Sequence, residues 1–233
     1  MMFQELHPFL GRDLYEPVPP GYLVLAWLVI LVLVQLLHVW LPAEFVLIVQ
    51  FGLLFAVGFW AWHHANHGVD QRTQWWGPSS WWGTIGLGVL VAIPTWLALN
   101  IVVSPLIVAV FDAFHLAVPP IQVSTREALT QGGVAAIFNA VVTVFVAPIA
   151  EEVFFRGAFF SSMTTRYGLG VGLLAQAVFF GFVHFNPIVV VVTTILGLIN
   201  GWMMMRRVAL VLPIVIHIVF NLLSVIVVLL QSG

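Results

Sequence analysis

Pro148-Ile149-Ala150-Glu151-Glu152-Val153-Phe154-Phe155-Arg156-Gly157 lies inside an apolar run that otherwise reads as a membrane helix. Two adjacent carboxylates there are costly. By insertion scales an acidic side chain at a helix centre costs at least ~2.5 kcal/mol, so ionisable residues within a span are functional candidates by default. Of the nine Asp and Glu in the chain, these two alone fall within a predicted span.

The surrounding composition makes the run a membrane helix rather than a buried soluble one. The chain has 233 residues, 62% hydrophobic and 7% charged, with a mean hydropathy of +1.11. Soluble domains carry roughly 25% charged residues; here there is too little polar surface to cover a water-facing globule. The expected fold is all-α, a polytopic transmembrane helical bundle in the lipid bilayer. A formal net charge of -2 gives no sign of nucleic-acid binding. The absence of Cys excludes disulfides and thiol nucleophiles, and the absence of Lys excludes a Lys-assisted Ser mechanism. No cleavable signal peptide is expected, because the first apolar run is long enough to span.

About seven spans are predicted, over 22–41, 45–62, 83–111, 134–162, 169–186, 188–205 and 208–230, preceded by a polar arm over 1–20. Trp60 and Trp62, then Trp75, Trp76, Trp81 and Trp82, mark interfacial ends. Pro94 and Pro105 are expected to kink the long third span. Ser124 followed by Glu127 fits a capping box and predicts a short helix before span four. Two parts follow: 1–133, an arm with accessory spans one to three, and 134–233, the core that carries the chemistry. His63 and His67 are four apart, and on a helix could hold a metal with Asp70. A polar helix end followed by a loop is the favoured reading, because Asp70 is the only nearby third ligand. With seven spans, Arg12, Arg72, Arg166, Arg206 and Arg207 fall on one side and Arg126 alone on the other. That split places the N-terminus in the cytoplasm and the C-terminus outside.

On a helix Glu151 and Glu152 point about 100° apart and cannot easily share one role. Glu152 and Arg156 are four apart, so an ion pair there would neutralise Glu152 and leave Glu151 for chemistry. Pro148 removes a backbone donor one turn earlier and is expected to bend the helix. His184, with Phe180 one turn before it, lies on span five; His217 and Asn221 share a face of span seven. Singly, a membrane His or Asn serves helix packing. Together, a carboxylate, two imidazoles and an amide suit water activation and oxyanion stabilisation. The same groups could bind zinc through Glu151, His184 and His217, with a fourth position for water.

The patterns Glu-Glu-x-x-x-Arg at 151–156, Phe-x-x-x-His at 180–184 and His-x-x-x-Asn at 217–221 resemble the CAAX-processing and bacteriocin-processing (CPBP, or Abi) family of intramembrane endopeptidases. The flanking Ala147-Pro148-Ile149-Ala150 and His184-Phe185-Asn186-Pro187 agree, and the resemblance covers roughly 134–230. It implies Glu151 as the catalytic glutamate, His184 as its partner on the water, and His217 with Asn221 at the oxyanion. Glu152, Arg156 and Phe180 would support them. The family is described both as metal-dependent and as glutamate-activated. The metal-free reading is favoured here: the His-Glu-x-x-His helix of zinc proteases is missing, and Asn221 is a poor ligand but a good donor. Zinc stays possible. The expected activity is cleavage of a peptide or membrane-protein substrate, by CAAX-type or peptide-leader processing, in a bacterial or archaeal cell membrane. The alternatives are a transporter or proton relay, disfavoured by the lack of an inverted repeat, and a non-catalytic immunity or scaffold protein.

One tension stands in this reading. As straight spans, four and five enter from opposite sides and would leave Glu151 and His184 at opposite depths. They meet only if span four runs well past Arg156 and shifts outward, or if the helices tilt strongly. The small residues Gly157, Ala158, Ser161 and Ser162 permit the extension.

Overall fold

A computed structural model describes residues 16–66, 75–77, 80–118, 123–130, 132–207 and 209–231. Among the described residues the architecture is an all-helical bundle: α1 (Pro20–Leu37), α2 (Ala43–Ala65), α3 (Trp81–Ala113), α4 (Val123–Thr130), α5 (Gly133–Tyr167), α6 (Leu169–Phe182), α7 (Pro187–Arg207) and α8 (Val211–Leu230). Six of these are long and apolar enough to cross a membrane; α6 is apolar but short. Large apolar side chains on α1 and α3 face outward, among them Val29, Leu36, Leu90 and Leu106. This suits a lipid environment, where facing outward costs an apolar residue nothing.

The helix ends follow local chemistry. Ser80 Oγ accepts from Gly83 N–H at 3.2 Å and opens α3. Asn186 Oδ1 accepts from Ile188 and Val189 N–H and opens α7, whose first residue is Pro187. Gly168, at φ +82° and ψ 164°, stops α5 in an extended positive-φ conformation that glycine adopts without strain. The short helix expected near Ser124 is α4, beginning at Val123.

The prolines do not break the long helices. Pro105 and Pro148 each follow a π-helical segment, Ala98–Val103 and Val142–Val146, and α-helix resumes around them. A proline cannot donate to the carbonyl four residues back and its ring collides with it. Widening the preceding turn relieves the clash: Ser104 N–H bonds Leu99 O and Ala147 N–H bonds Val142 O, five residues back. Pro94 sits within regular α-helix.

Glycines set the closest helix contacts, as in membrane bundles generally. A Cβ on Gly58 of α2 would lie 2.7 Å from Phe154 Cα, and one on Gly157 of α5 would meet the Trp62 ring at 3.2 Å. α2 and α5 thus interlock beside the two glutamates. On the other flank, Gly88 of α3 packs under Val215 of α8, and Trp96 donates to Ser224 at 2.9 Å.

The depth tension disappears in this fold. α5 continues through a third π-helical segment, Val153–Phe160, and on to Tyr167. Glu151 lies seventeen residues before the Gly168 turn and His184 sixteen after it, each about 25 Å along its helix. In the α5–α6 hairpin the two therefore come to one level. Phe155 against Phe180 (5.1 Å) and Phe159 against Phe179 (5.0 Å) form its aromatic seam.

Of the histidines near α2, His63 stacks on Phe59 and His64 on Trp60. His67 and Asp70, which the metal reading needs, lie outside the described residues.

Candidate active site

The two glutamates separate at once. Glu152 is fully buried. Arg156 Nη1 lies 3.0 Å from Glu152 Oε1, with both side chains inaccessible, and the guanidinium lies over the Phe180 ring at 4.2 Å. No guanidinium nitrogen meets hydrogen-bond geometry, so the contact is an ion pair off the donor axis. Two further groups converge on the same Oε1: His217 Nδ1 at 2.9 Å and Asn200 Nδ2 at 3.0 Å. Asn200, fully buried on α7, also approaches Pro213 O at 3.4 Å. No sequence pattern singled it out; an Asn in an apolar span is the only trace it leaves.

Glu151 is partly exposed and lines a cavity of about 460 Å³ together with His184, His217 and Asn221. The cavity fills the half of the bundle that contains the C-terminal end of α8. Its walls include Trp96, Asn100 and Ser104 of α3 and Asn139 and Thr143 of α5.

Each imidazole is oriented by a hydrogen bond. His184 Nδ1 lies 2.8 Å from Phe180 O, a carbonyl at the α6 end that has no intrahelical partner. A carbonyl only accepts, so Nδ1 carries the proton and the neutral ring keeps its lone pair on Nε2. His217 donates through Nδ1 to Glu152, and its Nε2 faces Glu151 Oε2 at 3.8 Å. Phe180 meets both rings edge-on, His184 at 5.2 Å and His217 at 5.6 Å, and so acts as a wedge between them. Asn221 donates one amide hydrogen to Thr143 O at 2.8 Å and keeps a second for another acceptor.

Zinc was the other reading of Glu151, His184 and His217. Among the described residues no three His, Asp or Glu side chains are grouped to hold a metal ion. The Nδ1 bonds of His217 to Glu152 and of His184 to Phe180 O leave Nε2 of each ring available, as a metal ligand or as a proton acceptor alike.

Residues 133–223 match the family model described as type II CAAX prenyl endopeptidase, Rce1-like. The match begins at the start of α5, ends within α8 and contains all three motifs, so over these residues the chain is similar to that family. No curated protein and no solved structure matches the chain.

Proposed function

We propose that this protein is a membrane-embedded endopeptidase that hydrolyses a peptide bond with water activated by Glu151, without a metal. The observation that carries the reading is the divided fate of the two glutamates. Glu152 is held by Arg156, Asn200 and His217, while Glu151 faces a cavity shared with His184 and Asn221.

Water held between Glu151 and His184 Nε2 loses a proton to Glu151 as its oxygen attacks the scissile carbonyl. The resulting oxyanion accepts from the second amide hydrogen of Asn221 and from protonated His217 Nε2. Glu151 then passes its proton to the departing amine as the C–N bond breaks. Glu152, Arg156 and Phe180 touch no reacting atom; they hold His217 and His184 in place. In this reading 134–233 performs the chemistry, and α2 and α3 brace it through Gly58 and Trp96.

The test is turnover of a fluorogenic peptide library by detergent-purified protein, wild type beside Glu151→Gln, each with and without a strong chelator. The expected result is activity that survives the chelator and falls by about 10²- to 10⁴-fold in the variant. The melting temperature should be unchanged. Equal turnover by variant and wild type would remove Glu151 from the mechanism, and loss to chelator alone would return the site to a metal.

A further inference from the structure

Pro148 is buried one turn before Glu151 and is not among the residues that line the cavity. It reaches the site through a carbonyl. A prolyl nitrogen carries no hydrogen, so Val144 O, four residues back, loses its α-helical donor. The wide turn before Pro148 takes the donor of Thr143 O as well. Ala147 N–H, four residues on from Thr143, bonds Val142 O instead. Position 148, five residues on, has no N–H to offer. Thr143 O therefore lies outside the backbone ladder in either register, and a carbonyl within an apolar span needs another donor. That donor is Asn221 of α8, whose Nδ2 donates to Thr143 O at 2.8 Å. Thr143 and Asn221 both line the cavity that Glu151 faces. The turn before Pro105 has the same bonding, Ser104 N–H to Leu99 O, so the wide turn is tied to the proline and not to the neighbouring glutamates.

We propose that Pro148 is a positioning residue for the oxyanion site: by leaving Thr143 O without a backbone donor, it supplies the acceptor that aims the Asn221 amide into the cavity. This rests on the proteolytic reading above and adds what holds its amide donor. The last torsion of an Asn side chain is broad, so the direction of its hydrogens is fixed only by a partner. With one hydrogen on Thr143 O, the other has a set direction, which a preorganised oxyanion donor requires. An N–H restored at position 148 undoes this in either register. If the helix returns to the α form, Ala147 N–H goes back to Thr143 O. If the wide turn stays, the new N–H bonds Thr143 O itself. Asn221 then competes with a backbone donor and loses its fixed direction.

The experiment is a double-mutant cycle of Pro148→Ala with Asn221→Ala on the full chain in detergent. It is read by kcat on one peptide cleaved from the library and by melting temperature. Pro148→Ala is expected to lower kcat by about tenfold or more with KM little changed, and the double variant to be no slower than Asn221→Ala alone. Asn221→Ala should lower the melting temperature in wild type, and by less in the Pro148→Ala background, where Thr143 O keeps a donor. Wild-type kcat in Pro148→Ala overturns the proposal. So do losses in kcat that multiply, which would make Pro148 act through Glu151 or the helix as a whole, and so do additive shifts in melting temperature. Pro148→Gly restores the same N–H, carries the same expectations and replaces the alanine variant if that one does not fold. Absence of turnover in wild type sinks the proteolytic reading, a distinct result, and the melting temperatures still decide whether Pro148 and Asn221 are coupled.

Discussion

Around Glu152 the bundle is closed: Arg156, Asn200 and His217 surround a carboxylate with no exposed surface, and Phe180 covers the guanidinium. Around Glu151, one residue earlier, it is open: the carboxylate reaches a cavity, and its nearest described ion-pair partner is His217 Nε2 at 3.8 Å. The difference follows from one rotation of about 100° along a helix. A buried charge must be matched by partners, and those partners then have little freedom to do anything else. A charge at a cavity wall keeps water and can exchange protons. His217 belongs to both regions, one nitrogen in each, so it ties the fixed half to the reactive one.

The comparison breaks most visibly at Arg156. Arg156→Ala leaves Glu152 a buried, uncompensated charge, and thermal unfolding in detergent should show a loss of about 3–5 kcal/mol. A wild-type melting temperature would mean that Glu152 is not ionised. Next comes Asn221→Ala on the open side. If Asn221 donates to the oxyanion, kcat falls by about 10²- to 10³-fold, with KM little changed; a pure KM effect would assign it to substrate binding.

Asn200→Leu sharpens the boundary between the halves. It removes one hydrogen bond to a charged group and should cost about 1.5–3 kcal/mol. It should also move the pH dependence of kcat, because Glu152 and His217 share the proton network. A stability loss with an unmoved pH profile would confine Asn200 to packing. The smallest effect is expected at Gly58→Ala. Its new methyl presses on the Phe154 backbone, which should cost about 1–3 kcal/mol by overpacking. If α2 braces the site, turnover drops along with stability; stability loss at full turnover would separate the two.

Much of this was legible from residue types and spacing. The all-helical membrane fold follows from composition, and the three motifs identify the residues that gather at the cavity. The Glu152–Arg156 spacing anticipates their contact. The span positions were less readable. The fifth apolar run yields only the short helix α6, and α5 runs to Tyr167 because nothing before Gly168 stops it. Pro148 and Pro105 read as bends, yet the local response was a π-helical turn, a choice made by backbone geometry that residue identity does not encode.

Local chemistry along the chain determined that these segments are helices, where they begin, and which polar groups cannot be left facing lipid, because hydrophobic length and capping act over a few residues. Tertiary structure alone decided which glutamate is sealed and which is open, that Asn200 donates to Glu152, and that Arg126 lines the same cavity as Glu151. Those outcomes depend on how α4, α5, α7 and α8 are placed about one another, and helix placement is set by contacts between residues that are distant in the chain.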